Sequence, residues 1–327
     1  MRVLVTGGAG SVGSVSVERL IATGHEVTVL DSLVTGHRGA VGPQAELVVG
    51  SVGDPSIVGP LLRRKRIEAV LHCAARSLVA ESVREPALYE QENVVGGRAL
   101  LAELAAAGVD RFVFSSTAAV YGMPDQMPIT EATPTRPINP YGATKLRLEG
   151  ALAEAATAAG LRAVALRYFN VAGASSANGE VHDPETHLVP NLLRAVETGT
   201  PVTLFGDDYP TPDGTAVRDY VHVLDLADAH LAALDLTATM PAGLEVANLG
   251  SGSGFSVRQV VDATSAVVGR LVPETIGPRR EGDPPTLVAA NERALALLGW
   301  RPTRGTLAEM IGSAWAWRRA NSGGYDR

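Results

Sequence analysis

The stretch "RVLVTGGAGSVGS" at 2–14 constrains this chain more than any other, because an apolar run, a glycine loop and the start of a helical pattern follow without a gap. Gly8, Gly10 and Gly13 satisfy G-x-G-x-x-G, while Gly7, Gly10 and Gly13 satisfy the three-residue spacing of another dinucleotide-binding family. Either way, glycines between a strand and a helix permit a tight turn and let backbone N–H groups approach a pyrophosphate seated on the helix N-terminus. Asp31 stands 18 residues beyond Gly13, at the end of the next apolar run. A carboxylate there accepts from both ribose hydroxyls of NAD and repels a 2′-phosphate, so NAD is expected over NADP.

The rest of the first half continues that alternation. Apolar runs at 2–6, 25–30, 45–49, 68–74, 111–116 and 162–169 read as buried strands, with helices near 12–23, 55–65, 87–107 and 141–159 between them. Strands with little period-two polarity imply a parallel sheet covered on both faces, so the predicted class is α/β, a doubly wound Rossmann-like fold. After Asn170 the chain becomes richer in Gly, Ser, Asn and Pro. The expected division is a cofactor domain at 1–169 and a smaller substrate domain at 170–327. The two interleave around 214–240, where "VRDYVHV" and the amphipathic "LDLADAHLAAL" return toward the sheet, and "SGGYDR" reads as a frayed tail.

A net charge of −7 argues against nucleic acid as the main partner, since counterion-releasing contacts need clustered cations. The one basic run, "RRKR" at 63–66, suits the end of a surface helix. Cys73 is the single cysteine and lies in the apolar "AVLHCAA", which excludes an intrachain disulfide and fits a reducing compartment. The N-terminal stretch lacks the long apolar region of a signal peptide and no run of 18 apolar residues exists, so a cytoplasmic protein without a membrane span is expected.

Of the 28 basic residues only Lys65 and Lys145 are lysines, leaving 26 arginines (28 − 2), and Lys145 sits in "PYGATK". Asn139 is a good N-cap and Pro140 a good first helical residue, which places Tyr141 and Lys145 four apart on one helix face. The strand ending in "FVFSST" offers Ser116 and Thr117 at its carboxyl edge, where doubly wound sheets bind ligands. A phenol titrates near ~10, so a tyrosine base needs nearby cations; lowering it by about three units takes on the order of 4 kcal/mol. An ammonium does this compactly and can also bond two ribose hydroxyls, which a guanidinium cannot.

Together these features resemble the extended short-chain dehydrogenase/reductases. More closely, "ESVREP", "FSSTAAVYG", "PYGATK", "LRYFN", "FGDDYPTPDGTAVRDYVHVLDLADAH" and "PRREGD" resemble the UDP-glucose/UDP-galactose 4-epimerase family, in order from Met1 to about Trp317. The resemblance implies NAD-dependent epimerisation of a UDP-sugar through a 4-keto intermediate, in a homodimer and without a metal. It implies Tyr141 as base, Lys145 as the cation that lowers its pKa and holds the nicotinamide ribose, and Thr117 as a hydrogen-bonding partner of the sugar. Around the cofactor it implies Gly7, Gly10, Ser11, Val12, Gly13, Asp31 and Ser32. It adds Ser51, Val52, Cys73, Ala74, Ala75, Ser77 and Phe169, beside Tyr141 and Lys145. Around the substrate it implies Asn170, His187, Leu188, Leu204, Phe205 and Tyr220, with Arg218 and Arg280 on the phosphates and Asp283 and Leu287 near the ribose and sugar.

Relatives that dehydrate or decarboxylate carry acids after the Ser/Thr of this strand end, whereas here Ala118 and Ala119 follow Thr117, which favours oxidise-and-return chemistry. Three positions depart from better-known epimerases: Ser51 replaces Asp, Ser77 replaces Lys, and Glu92-Asn93 replaces an Asn pair. Arg76 is a candidate for the charge missing at Ser77. Ion pairs of the arginines with Asp219 or Glu281 are the alternative to phosphate binding. A related nucleotide sugar, or a non-catalytic dinucleotide sensor, is the alternative to UDP-hexose turnover.

Overall fold

The computed structural model describes residues 1–280 and 282–325. Seven parallel strands form the main sheet in the order β11-β6-β5-β4-β1-β2-β3. They are β1 (Arg2–Thr6), β2 (Glu26–Asp31), β3 (Glu46–Val49), β4 (Ala69–His72), β5 (Arg111–Thr117), β6 (Arg162–Tyr168) and β11 (Gly243–Leu249). Order reverses at β1, which pairs with β2 on one side and β4 on the other. At such a switch point the connecting helices leave toward opposite faces and open a crevice at the carboxyl ends of the strands.

Helices α1 (Ser11–Ala22) and α8 (Val223–Thr239) cover one face, where Val17 and Leu20 meet Leu226, Ala229 and Ala233 over Val5 and Val29. Helices α2 (Pro55–Lys65), α5 (Gly96–Ala107) and α6 (Pro140–Ala159) cover the other, packing Leu61, Leu104, Leu148 and Leu152 against Leu4, Val70 and Phe112. Local signals set their ends. The Asn139 side chain accepts from Gly142 N at 2.8 Å ahead of Pro140, and α6 stops at Gly160, whose φ of 71° suits a residue without Cβ. The "RRKR" run closes α2, as its charge suggests.

Two differences from the sequence reading bear on the site. The predicted helix at 87–107 is broken: α3 (Val79–Arg84) and α4 (Pro86–Tyr89) lead into a π-helical turn at Glu90–Val95 before α5 begins. The wide turn lets the Asn93 side chain accept from Arg76 N at 2.8 Å while donating to Arg76 O at 3.0 Å and Thr144 Oγ1 at 3.1 Å. The return of the chain to the sheet also runs past 240 and adds β11 beside β6, in register from Gly243↔Arg162 to Leu249↔Tyr168.

The second layer is built from short strands and helices. These are β7 (Asn170–Ala172), α7 (Leu188–Thr198), β8 (Val202–Phe205), β9 (Val217–Arg218), β10 (Tyr220–His222), β12 (Phe255–Ser256), α9 (Val257–Val268), β13 (Glu274–Gly277), β14 (Thr286–Leu287) and α11 (Leu307–Ala320), whereas α10 (Glu292–Leu298) packs Ala294 into the main-sheet core. Its core joins Leu192, Val196, Val260, Met310 and Ile311. The tail is not frayed through Tyr325: the Tyr325 hydroxyl bonds Gly179 O at 3.0 Å and Asn178 Oδ1 at 2.9 Å, and its ring stacks on His37 at 5.1 Å. The remaining tail residues, Asp326 and Arg327, and the expected ion-pair partner Glu281 lie outside the described residues.

Candidate active site

The glycine loop leaves β1 at the switch point and feeds α1, whose first N–H groups meet no capping side chain at Gly10. Gly7 has φ 71°, and a Cβ there would lie 2.4 Å from Ala74 N; a Cβ on Gly13 would lie 2.1 Å from Gly7 O. Both glycines are therefore required by backbone-to-backbone contact, and the turn they allow opens a cavity of about 330 Å³. Gly7, Gly10, Ser11, Val12, Gly13, Asp31, Ser32, Ser51 and Val52 line it, as do Cys73, Ala74, Ala75, Ser77, Tyr141 and Lys145. Phe169 does not. It packs with Val120, Tyr121 and Ile129, because the pleat turns successive side chains to opposite faces and Tyr168 is the one that faces the cavity.

The Asp31 carboxylate is fixed by Ala9 N at 2.9 Å and Leu33 N at 2.8 Å. It is held at the rim with lone pairs to spare for ribose hydroxyls. Ser51 Oγ accepts from Gly53 N at 3.1 Å, so it shapes its own turn. Arg76 lines the same wall and pairs with Glu81 at 3.6 Å, while Glu92 reaches the cavity and Asn93 anchors the Arg76 backbone. An uncapped helix N-terminus, a rim carboxylate and a buried ammonium in one cavity suit a dinucleotide.

Helix α6 brings Tyr141, Lys145 and Glu149 along one face to the ends of β5 and β6, where Thr117 and Tyr168 lie side by side in register. Lys145 Nζ donates to Ser115 O at 2.8 Å and lies 4.8 Å from the Phe114 ring and 5.9 Å from the Tyr141 ring. Burial lowers Lys145 to about 8, with Cys73 and Glu149 acting in the opposite direction. Burial pushes Tyr141 up to about 12, against the hydrogen bond from Thr117. The expected lowering of the phenol calls on Lys145 together with a nicotinamide cation; in the protein alone desolvation sets the direction. Below Lys145, Glu149 accepts from Arg167 Nε at 2.9 Å and Ser116 Oγ at 2.6 Å, a buried pair that locks α6 to both strands. Cys73, pushed up to about 11 by burial, is packed rather than reactive.

The residues expected around the substrate divide into two groups. Arg218 pairs with Asp283 at 2.5 Å, Arg280 lies 4.0 Å over the exposed Phe205 ring, and Leu287 sits opposite Arg218 in the β9–β14 register. Leu287 also packs against the cluster that holds Ala118 and Phe169, which connects this group to the Thr117 strand end. Asn170 is exposed at the start of β7, directly after the main sheet. Leu204 and Tyr220, by contrast, are 1% and 3% exposed, with their side chains in the second-layer core. The period-two phase of β8 turns Phe205 outward and Leu204 inward. Asp219, the alternative partner for the arginines, instead accepts from Ser251 N, Gly252 N and Ala289 N.

His187 precedes α7, and Leu188 is its first residue. Beside them the structure gathers a group that sequence reading did not anticipate, Glu180, His182, Glu185 and His187, with His182 on the cavity wall. Burial alone would lower both imidazoles, yet the facing carboxylates prevail and raise His182 to about 9 and His187 to about 10. The spacing "EVHDPETH" at 180–187 is the one signal that pointed to this group.

The model of the NAD dependent epimerase/dehydratase family matches residues 3–250. A UDP-glucose 4-epimerase of Lactobacillus helveticus is 48% identical over 329 residues, covering 100% of this chain and 99% of the relative. The crystal structure of UDP-glucose 4-epimerase from Brucella ovis in complex with NAD is 42% identical, covers 96% of this chain and 97% of its own, and superposes with a TM-score of 0.93. The enzyme from Bifidobacterium longum, crystallised with NAD+ and UDP, is 35% identical, covers 99% and 100%, and has a TM-score of 0.94.

Proposed function

The chain belongs to the NAD dependent epimerase/dehydratase family and, within it, to the UDP-glucose 4-epimerases. From that premise we infer that it catalyses the reversible, NAD-dependent C4 epimerisation of UDP-hexoses, interconverting UDP-galactose and UDP-glucose through a transient 4-keto sugar. The observation that carries the reading is the convergence of Tyr141, Lys145 and Asp31 on the cavity that the glycine loop opens.

Tyr141 is the group that takes and returns the C4-hydroxyl proton. Its phenol, raised to about 12 by burial, is a strong base once ionised, and Thr117 supplies the hydrogen bond that favours the ionised form. Lys145, charged at neutral pH with a value of about 8, holds a cation within the same buried pocket. NAD, when bound, supplies the hydride acceptor and donor and a further positive charge in this cavity. Asp31 and the α1 N-terminus orient it, as NAD and UDP complexes of relatives support. Ala118 and Ala119 put no proton-transferring group beside Thr117, which leaves C4 oxidation and its reversal as the chemistry of the site.

Arg218, Arg280 and Phe205 form the candidate subsite for the uridine diphosphate, with Leu287 beside the sugar. Arg218 would exchange its Asp283 contact for phosphate oxygens, which guanidinium geometry favours. The reading extends to a homodimer in the cytoplasm without nucleic-acid partners. The acidic net charge of −7 supports the absence of a nucleic-acid partner, and no helix among the described residues is long and apolar enough to cross a membrane.

The test is to mix the purified protein with UDP-galactose, with and without added NAD, and look for UDP-glucose. Product is expected in at least the NAD-supplemented arm, and none in either arm would overturn the assignment. Tyr141→Phe should lose most turnover while keeping UDP affinity; an active variant would remove Tyr141 from the proton-transfer role. Running UDP-GlcNAc in parallel shows whether the pocket beside Leu287 admits an N-acetyl group.

A further inference from the structure

We propose that Glu180, His182, Glu185 and His187 bind a divalent transition-metal ion of the Zn²⁺ class, at the seam between the cofactor cavity and helix α7. Each residue offers one donor atom, and the four atoms lie within 4.8 Å of one another, the only such group among the described residues. His182 Nδ1 is 3.1 Å from Glu180 Oε1 and 3.7 Å from Glu185 Oε2. His187 Nδ1 is 3.5 Å from Glu185 Oε1 and in close contact with Glu180. A tetrahedral ion with bonds of ~2.0–2.1 Å separates its ligands by about 3.3–3.4 Å; three of the pairs, at 3.1, 3.5 and 3.7 Å, stand at about that spacing, and the wider ones, within 4.8 Å, close on it when an ion binds.

Hydrogen bonding of the imidazoles to Glu180 and Glu185 accounts for only part of the arrangement. One Nδ1–H serves one carboxylate well, whereas each Nδ1 here faces two. His182 Nδ1 is buried and makes no well-aligned hydrogen bond despite its neighbouring carboxylates. Two imidazole nitrogens and two carboxylate oxygens suit Zn²⁺ and its first-row neighbours, while Mg²⁺ and Ca²⁺ take oxygen sets. Two carboxylates also balance a charge of +2 with neutral imidazoles.

The position gives the ion a function. His182 lines the cofactor cavity, and His187 leads into α7 of the second layer. The intervening loop is tied to the region after β2 through His37 Nε2 and Val181 O at 3.1 Å. A metal at the four donors fixes this loop and so joins the cofactor wall to the layer that carries the substrate residues.

The untagged full-length protein is stripped with a chelator, dialysed and titrated with ZnCl₂ by calorimetry, and separately with Co²⁺ while recording visible absorption. One ion per chain and the d–d bands of tetrahedral Co²⁺ are expected. The Glu180→Gln/Glu185→Gln double variant should bind at least tenfold more weakly, with circular dichroism checking its fold. If the double variant does not fold, His182→Gln is read in its place with the same expected loss. Failure of the wild type to bind Zn²⁺ at one site, or equal affinity in the folded variant, overturns the proposal, leaving a carboxylate–imidazolium network alone.

Discussion

Replacing Lys145 by Met should stabilise the cofactor-free protein near neutral pH while abolishing turnover. The ammonium is 3% exposed, and burial holds it at about 8 rather than its ordinary 10.5. That gap of about 2.5 (10.5 − 8) corresponds to ~3.4 kcal/mol of differential stability, at ~1.36 kcal/mol per pH unit. Met matches the stem and removes the charge, but gives up the Nζ bond to Ser115 O at 2.8 Å, a loss of about 1.5 kcal/mol for a charged donor. A net gain of about 2 kcal/mol remains. Spread over 327 residues at ~2.1 cal/mol/K each, that raises Tm by ~3 °C.

The direction with pH is equally specific. Between about 8 and 10.5 the unfolded chain retains a proton that the folded chain has released, so wild-type stability rises with pH across this window. The variant lacks the group, so its advantage should be complete below about 8, disappear within the window, and give way toward 10.5 to a deficit from the lost Ser115 contact. Thermal unfolding of both proteins, followed by circular dichroism across that range, reads the difference with all other titrations cancelled. A variant less stable at neutral pH, or a Tm difference independent of pH, would refute the claim that burial strains this lysine.

Glu149→Gln leaves the buried Arg167 guanidinium without its counter-charge; breaking such a pair costs about 3–5 kcal/mol, or a Tm lower by ~4–7 °C in calorimetry for 327 residues. A loss under ~1 °C would show the pair to be dispensable. Gly13→Ala should abolish NAD retention through gel filtration, because its Cβ would meet Gly7 O at 2.1 Å, whereas Gly10→Ala, at 3.4 Å, should bend the loop less and keep part of it. Equal retention by the two variants would contradict this ranking. Asp31→Asn should weaken NAD binding about tenfold, as expected for one charge-assisted bond of ~1.5 kcal/mol, without weakening NADP. Unchanged NAD affinity by calorimetry would place the ribose elsewhere.

The cofactor wall was the most legible part of the molecule. Gly7, Gly13, Asp31 and the Asn139-Pro140 start of α6 act through the turn, cap and strand in which they stand, so their consequences were readable at short range. The π-helical turn was not: what selects it is Asn93 reaching Arg76 and Thr144, partners far off in the chain. Likewise, nothing local marks Gly243–Leu249 as the seventh strand, since its place follows from pairing with Arg162–Tyr168.

By itself, then, the sequence determined the alternation, the switch-point loop and the residue types gathered for chemistry, because periodicity, caps and glycine conformations are properties of neighbouring residues. Tertiary packing alone decided which side of a strand is open, turning Tyr168 rather than Phe169 to the cavity and leaving Phe205 rather than Leu204 exposed. It also decided the electrostatics: the same Tyr141 and Lys145 that read as a base and its cation titrate at about 12 and about 8. Desolvation depends on everything packed around a group, and no stretch of sequence contains that surrounding.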